Sequence, residues 1–154
     1  MRVRSMLPVG CLALFIGGSY LLLAARGQPD EDAASPSQTE AGAQQDAVEH
    51  GQYIVHHVAM CIYCHTPRGA DGEPDMRRLL RGAPMPVGSP FPQQTWAFQA
   101  PKIAGLPGGW KADDLVRFLQ TGETPTGHQP RPPMPPFRMN EEDARGVAAY
   151  LQSL

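Results

Sequence analysis

The sequence predicts an all-α fold, in which three or more short helices and long loops rich in proline and glycine enclose a large ligand. Three segments repeat apolar residues at helical spacing, and none shows the period-two alternation of a half-buried strand. Between the first two of these segments, residues 81–110 are dense in proline and glycine. A loop of that length is unusual in a small domain unless it wraps a rigid body that completes the core.

The N-terminal residues 1–26 contain a long apolar segment. Between Arg4 and Arg26 lie 21 uncharged residues, enough for a helix to cross a hydrocarbon layer of ~30 Å. Arg2 and Arg4 precede the segment, which predicts that the remainder lies outside the cytoplasm. We expect an uncleaved membrane helix. A cleaved signal peptide is the alternative, although Leu23 makes a poor cleavage signal, and a lipid anchor on Cys11 is disfavoured because the apolar run follows that cysteine.

Residues 27–46 form an acidic segment with five acidic and no basic residues, and with no apolar side chain larger than alanine. Such a composition cannot bury enough surface to offset chain entropy. We therefore expect a flexible linker between the membrane segment and a domain that covers residues 47–154.

The domain of residues 47–154 has ten basic and ten acidic residues, so its formal charge is balanced. No basic face for a nucleic-acid backbone is evident, and nucleic acid is not expected as a partner.

The three helical segments each carry their own signals. The first, Ala47–Met60, is expected to bury one face: Val48, Gly51, Val55 and Val58. The second, Asp113–Thr121, is expected to end at Gly122 and to bury four residues: Leu115, Val116, Phe118 and Leu119. The third follows Asn140 as N-cap with Asp143 as its capping-box partner, and its expected stripe is Val147, Tyr150, Leu151 and Leu154.

The sequence Cys61-Ile62-Tyr63-Cys64-His65 is typical of haem attachment. Two thiols on one turn can form thioethers with the two vinyl groups of a haem, and the adjacent histidine can bind the iron. A structural zinc site needs four ligands, and the only other cysteine is Cys11. A disulfide of this spacing is strained, and the βαβ setting of a thioredoxin-like redox pair is absent. We interpret the motif as the site of one covalent haem c.

These residues are similar to those of class I c-type cytochromes, especially the bacterial monohaem domains. The similarity extends from residue 48 to 154 and includes GQY at 51–53, CIYCHTPR at 61–68, ADDLVRFLQTG at 112–122, PPMPPFR at 132–138 and EEDARGVAAYLQSL at 141–154. It implies a cytochrome c-like fold around the haem. It also implies that the first and last helices cross where Gly51 meets Tyr150.

The resemblance further implies a sixth iron ligand from a methionine shortly before the last helix. Met134 fits, and its four flanking prolines would present the sulfur at a low entropic cost of ordering. Met85, within a Pro-Met-Pro sequence, is the rival, and His128 or an open site are further alternatives. The other methionines of the domain have different expected positions: Met60 facing away, Met76 on the surface and Met139 as a hydrophobic staple.

Several further roles are expected around the haem. The carbonyl of Pro67 is expected to accept the imidazole N–H of His65, as the resemblance implies. Trp110, Arg68 and Arg131 are candidates for contacts with the haem propionates. Three histidines before the motif are expected to have surface or packing roles: His50, His56 and His57.

The predicted function is electron transfer between membrane or periplasmic redox partners, without catalysis by this chain. The predicted location is the bacterial cytoplasmic membrane, with a single span and the haem domain on the periplasmic side, or the soluble periplasm after cleavage. The alternative is a haem-bearing subunit of a larger complex, either a respiratory, photosynthetic or dehydrogenase complex or a terminal oxidase. A third hypothesis is a haem enzyme or gas sensor with an open iron position.

Overall fold

The structure, a computed structural model, describes residues 36–154. Its elements in chain order are α1 (Pro36–Tyr53), a π-helix (Ile54–Val58), α2 (Ile62–His65), a 3₁₀-helix (Met76–Arg78), β1 (Ala83–Pro84), β2 (Gln99–Ala100), α3 (Ala112–Thr121) and α4 (Glu141–Gln152). The mainly helical prediction is confirmed. The expectation of no strand is wrong, because β1 and β2 pair in an antiparallel sheet, but two residues are too short to show alternation in a sequence.

The membrane segment predicted for residues 1–26 lies outside the described residues, as do linker residues 27–35. Within residues 36–154, no helix combines the length and the apolar character needed to cross a membrane.

Helix α1 begins eleven residues before the predicted start and includes residues 36–46, which the sequence analysis assigned to the linker. Pro36 occupies the first turn, where its missing N–H is not needed. Alanine, glutamine and glutamate follow, which favour helix, and the side chain of Gln45 donates a hydrogen bond of 2.8 Å to Glu49 one turn later. The side chains of residues 39–46 in α1 are exposed, as the composition of this segment predicts. The composition did not predict that the backbone here is helical.

The π-helix changes which residues of the first helical segment are buried. The N–H of Ala59 donates to the carbonyl of Ile54 at 2.8 Å, five residues back, which adds one residue to the turn. Ile54 and Val55 are consequently buried, while Val58 is 59% exposed. The prediction that Val58 faces the core is wrong because it assumed α-helical spacing throughout.

Helices α1 and α4 cross with their backbones in close contact. A Cβ atom added to Gly51 would overlap the carbonyl group of Gly146 and would lie 2.9 Å from the Cβ of Tyr150. Gly51 therefore meets Tyr150, as predicted, but its nearest neighbour is a second glycine. Two side-chain hydrogen bonds join this part of the chain to α4: His50 of α1 to Asp143 at 2.8 Å, and His56 of the π-helix to the hydroxyl of Tyr150 at 2.7 Å. The predicted packing role is thus confirmed for His50 and His56.

The ends of α3 and α4 follow the local sequence signals. Gly122 ends α3 in the left-handed conformation, and the four predicted side chains of α3 are buried. The Asn140 side chain accepts a hydrogen bond of 2.8 Å from the N–H of Asp143, which confirms the N-cap. The predicted capping box also needs the Asp143 carboxylate to accept from the backbone N–H of Asn140. This part of the prediction is wrong, because the carboxylate of Asp143 contacts His50 instead. Leu154 is also misassigned: it is 40% exposed because α4 ends at Gln152.

The loop after the attachment motif contains a carboxylate held by two arginines. Asp75 accepts hydrogen bonds from the side chains of Arg77 at 3.1 Å and Arg78 at 2.9 Å, and from the N–H of Arg77 at 3.1 Å. Together these hydrogen bonds lower the pKa of Asp75 to about 2. The hydrogen bond from the Arg77 side chain has the largest effect. The carboxylate therefore holds this loop in place at neutral pH.

We expect an NMR titration of the Asp75 carboxyl to give a pKa of about 2, and Arg77→Gln with Arg78→Gln to raise it toward the ordinary value of about 4. Because the folded pKa is depressed, the contribution of Asp75 to stability is present above pH ~4 and is lost as the pH falls toward 2. Titration of Asp75 near 4 in the unaltered protein would show that these hydrogen bonds do not form in solution.

Candidate cofactor site

A cavity of about 530 Å³ lies inside the helical domain. Its walls are formed by the attachment turn, by α3 and α4, and by the segments 97–110 and 130–137. Most of the lining side chains are apolar, among them Ile103, Leu115, Phe118, Leu119, Phe137, Val147 and Leu151. The helices predicted from the sequence thus pack around an internal space as well as against one another.

The attachment motif forms one side of this cavity. Helix α2 is a single turn, closed by a hydrogen bond of 2.9 Å from the N–H of His65 to the carbonyl of Cys61. Cys61, Cys64 and His65 all line the cavity, and no disulfide joins the two cysteines. Burial is the main reason that the pKa of Cys61 is raised to about 11, so this thiol is protonated at neutral pH. The two sulfurs therefore lie on one turn of backbone at the same cavity.

Met60 precedes this turn with a φ of 50°, in the left-handed region that side chains seldom adopt. It is 52% exposed, yet it contributes to the cavity lining. Met60 therefore lies at the edge of the cavity, with much of its surface exposed to solvent.

The orientation of the His65 ring is fixed by a backbone carbonyl. His65 is buried, and its Nδ1 is 2.8 Å from the carbonyl oxygen of Pro101. That oxygen can only accept, so Nδ1 carries the proton. Burial lowers the pKa of His65 more than this hydrogen bond raises it, which favours the neutral ring. Nε2 then has a free lone pair, the form in which histidine binds a metal.

The prediction that the carbonyl of Pro67 accepts this hydrogen bond is wrong. The carbonyl of Pro67 accepts instead from the N–H of Asp75 at 2.8 Å. Pro101 reaches His65 because the N–H of Gly82 donates to the carbonyl of His65 at 2.8 Å and β1 pairs with β2 just before Pro101. This contact spans 36 residues, and no local spacing in the sequence indicates it.

Thr66 follows the site directly and supports it, a role that the sequence analysis missed. It is fully buried, and its hydroxyl accepts a hydrogen bond of 3.0 Å from the N–H of Leu80. This hydrogen bond ties the end of the attachment turn to the segment that leads into β1. A threonine directly after the histidine is the only sequence signal for it.

Both candidate methionines line the cavity. Met134 is half-buried and packs against the hydrophobic core, and its N–H donates to the carbonyl of Arg131 at 3.2 Å in a tight turn. Met85 is also half-buried, and its N–H donates to the carbonyl of Phe98 at 3.0 Å, which extends the β1–β2 pairing. Met85 thus belongs to the hairpin that positions Pro101 on the His65 ring, whereas Met134 comes from a separate segment.

The remaining candidates separate into those at the cavity and those away from it. Trp110 and Arg131 line it, and the Trp110 ring contacts Phe118 edge-on, with 5.3 Å between centroids. Arg68 does not line it. Its guanidinium donates to the carbonyls of Tyr63 and Gly72, so the predicted propionate contact of Arg68 is wrong. His128 is exposed, lies off the cavity and bonds to Thr126, which argues against it as an iron ligand.

The positions of Met76 and Met139 are consistent with their expected roles. Met76 is 52% exposed, as predicted for a surface residue. Met139 packs against the core immediately before α4, where a hydrophobic staple is expected.

The residues at the cavity fit a haem. Two thiols on one turn match the two vinyl groups, a neutral imidazole with a free Nε2 matches the iron, and apolar walls suit the porphyrin. Within residues 36–154, no cluster of three or more histidine, cysteine or acidic side chains could hold a metal in another way. The fold and the site define a haem-binding domain of the c type.

Comparison with known proteins agrees with this class. The family model described as Cytochrome c matches residues 48–154, and the chain belongs to the cytochrome c family. Members of this family transfer electrons through a covalently bound haem c, and residues 48–154 form a domain of this electron-transfer family.

Two relatives are similar to most of this chain. A diheme cytochrome c-type protein of Cereibacter sphaeroides is 32% identical over 125 residues, which cover 78% of this chain and 40% of the relative. The fructose dehydrogenase cytochrome subunit of Gluconobacter japonicus is 29% identical over 113 residues, which cover 68% of this chain and 21% of the relative. The chain thus spans less than half the length of each.

Proposed function

We propose that this chain carries single electrons through one haem, attached by thioethers at Cys61 and Cys64, with His65 and Met134 as axial iron ligands. The observation that carries the proposal is the single cavity shared by these four residues, with Nε2 of His65 left free by the hydrogen bond to Pro101. The chain contains one Cys-X-X-Cys-His motif, which supports one haem. When bound, the haem supplies a reversible one-electron iron couple.

The protein's own residues would serve this reaction by holding the site still. The Pro101 carbonyl fixes the ring of His65, and the four prolines around Met134 restrict the segment that bears the thioether. The apolar side chains of α3 and α4 that line the cavity would disfavour water beside the bound haem. With His65 and Met134 both bound to the iron, no iron position would be left for a substrate or a gas.

Replacement of Met134 by histidine tests the ligand assignment. A thioether favours ferrous iron more than an imidazole does, so we expect Met134→His to lower the midpoint potential by on the order of 100 mV. Redox titration of the haem-loaded protein measures the change. Met85→Leu is the matched control, because Met85 lines the same cavity within a similar Pro-Met-Pro sequence. A change with Met85→Leu and none with Met134→His would transfer the ligand role to Met85.

The proposed carrier works outside the cytoplasm, attached to the bacterial cytoplasmic membrane by a single span formed by residues 1–26. The support is the uncharged stretch between Arg4 and Arg26 and the arginines before it. The intact mass of the protein recovered from membranes tests it. A mass that lacks the first residues, in a protein found in the soluble periplasm, would favour signal cleavage.

A second candidate function is the haem-bearing subunit of a larger dehydrogenase or oxidase. The relative named as a fructose dehydrogenase cytochrome subunit favours it. Purification of the native protein under mild conditions separates the two. A fixed stoichiometric complex with an enzyme would support the subunit, whereas recovery as a free cytochrome would support a carrier that meets its redox partners transiently.

A further inference from the structure

Leu80 combines a strained backbone with complete burial. Its φ is 55°, in the left-handed region that residues other than glycine seldom adopt, and its side chain is 0% exposed. Such a conformation persists only where the surroundings hold it, and residues of this kind are frequent near functional sites. Within residues 36–154, the N–H of Leu80 has one acceptor, the buried hydroxyl of Thr66 at 3.0 Å. The Thr66 side chain therefore helps to hold Leu80 in this conformation.

The carbonyl of Leu80 holds the segment that contacts the His65 ring. It accepts hydrogen bonds from the N–H groups of Ile103 at 3.0 Å and Ala104 at 3.2 Å. Pro101, whose carbonyl accepts the Nδ1–H of His65 at 2.8 Å, lies two residues before Ile103. The conformation of Leu80 thus fixes the stretch of backbone that carries the acceptor for the ring.

Gly82 brings the same two segments into direct backbone contact. A Cβ atom added to Gly82 would lie 2.8 Å from the backbone nitrogen of Lys102 and 3.1 Å from the carbonyl carbon of Pro101. The N–H of Gly82 also donates to the carbonyl of His65 at 2.8 Å. A shift of residues 80–82 would therefore move Pro101 relative to the His65 ring.

We propose that the hydroxyl of Thr66 positions the ring of His65, the proposed iron ligand. The hydroxyl holds Leu80, and Leu80 holds the Pro101 carbonyl that accepts the Nδ1–H of the ring. This inference rests on the proposed haem site. Neither Thr66 nor Leu80 lines the cavity, so the threonine acts through the backbone that it holds and not by touching a haem. It is a positioning residue.

Loss of the Thr66 hydroxyl is expected to raise the midpoint potential. Without the hydroxyl, the buried N–H of Leu80 loses its partner and the strained backbone can relax. The Pro101 carbonyl then moves away from the ring, and its hydrogen bond to the Nδ1–H of His65 weakens. A weaker hydrogen bond makes the imidazole a poorer electron donor to the iron, which destabilises the ferric state relative to the ferrous state.

The experiment compares Thr66→Val, Thr66→Ser and Thr121→Val in the full haem-loaded chain. Valine removes the hydroxyl of threonine at nearly constant size, whereas serine keeps the hydroxyl. Thr121 is the matched control, because its hydroxyl also accepts a backbone N–H, that of Glu123 at 3.2 Å, but it is exposed on α3 and lies off the cavity. Redox titration gives the midpoint potential, and NMR of the ferrous protein gives the rate at which the Nδ1–H of His65 exchanges with solvent.

We expect Thr66→Val to raise the potential and to make the Nδ1–H of His65 exchange about tenfold faster, which is roughly the contribution of one hydrogen bond. Thr66→Ser and Thr121→Val should match the unaltered protein in both measurements. Equal results for Thr66→Val and Thr121→Val would overturn the proposal. Changes in Thr66→Ser as large as those in Thr66→Val would also overturn it, because the hydroxyl would then not be the cause.

A measurement on the unaltered protein covers the case in which Thr66→Val does not fold. In hydrogen exchange at low denaturant concentration, we expect the N–H of Leu80, the N–H of Ile103 and the Nδ1–H of His65 to become exposed in the same opening. Exchange of the His65 proton while the N–H of Leu80 stays protected would overturn the proposal. An unaltered protein that holds no covalent pigment would instead refute the proposed function, so the two failures are distinguishable.

Discussion

Replacing both Cys61 and Cys64 with alanine is expected to abolish covalent haem attachment. The two thiols lie on one turn at the edge of the cavity, and Cys11, the only other cysteine, is remote in sequence. Without thioethers, any haem is held only by its contacts and by axial bonds. The measurement is extraction with acidified acetone: pigment should stay with the unaltered chain and leave the double variant.

Tyr63→Phe is the control for this experiment. Tyr63 lies between the two cysteines and is 43% exposed, and its replacement keeps both sulfurs in place. It should retain pigment as the unaltered protein does. Each single cysteine variant should keep one thioether and an altered absorption maximum. Acid-resistant pigment on the double variant would contradict the assignment of the motif.

Loss of the haem should also destabilise the domain. The cavity of about 530 Å³ is lined by the same α3 and α4 side chains that form the core, among them Leu115, Phe118 and Leu151. Without a haem between them, these side chains would face an empty space and lose much of the dispersion energy of a packed core. We expect the double variant to show reduced helical circular dichroism and rapid proteolysis.

The parts of the structure that the sequence predicted correctly depend on local signals. The N-cap of Asn140, the stop at Gly122 and the buried residues of α3 are determined within a few positions of the chain. The attachment motif is equally local, since its two thiols and its imidazole need only one turn. For the same reason the sequence alone indicated which turn of the chain borders the cavity.

The errors come from features that span longer distances or alter the helical period. The π-helix at Ile54–Val58 moved Val58 to the surface, and α-helical periodicity cannot anticipate that insertion. The acceptor for His65 is Pro101 rather than Pro67, because the β1–β2 pairing brings a distant carbonyl to the ring. The early start of α1 shows a third limit: an acidic segment with no core to bury can still have enough helix propensity to extend an adjoining helix.

The crossing of α1 and α4 leads to a large predicted effect on stability. Gly51→Ala would place a methyl group onto the backbone carbonyl of Gly146 and against Tyr150. Neither helix can give way through a side chain, since the nearest atoms at Gly146 are backbone atoms. Separation of the helices would also strain the hydrogen bonds of His50 to Asp143 and of His56 to Tyr150. We expect Gly51→Ala to lower the free energy of unfolding by about 3 kcal/mol or more.

Gly42→Ala is the matched control, because the two glycines lie in the same helix and the substitution is the same. No atom lies within 4 Å of a Cβ added at Gly42, so alanine there should only improve helix propensity, by roughly 0.5–1 kcal/mol. The two variants should therefore change the midpoint of urea denaturation in opposite directions, measured by circular dichroism on haem-loaded protein. If Gly51→Ala and Gly42→Ala both stabilised the protein by the same small amount, α1 and α4 would not approach closely at Gly51. The haem cavity, to which α4 contributes Val147 and Leu151, would then need a different wall.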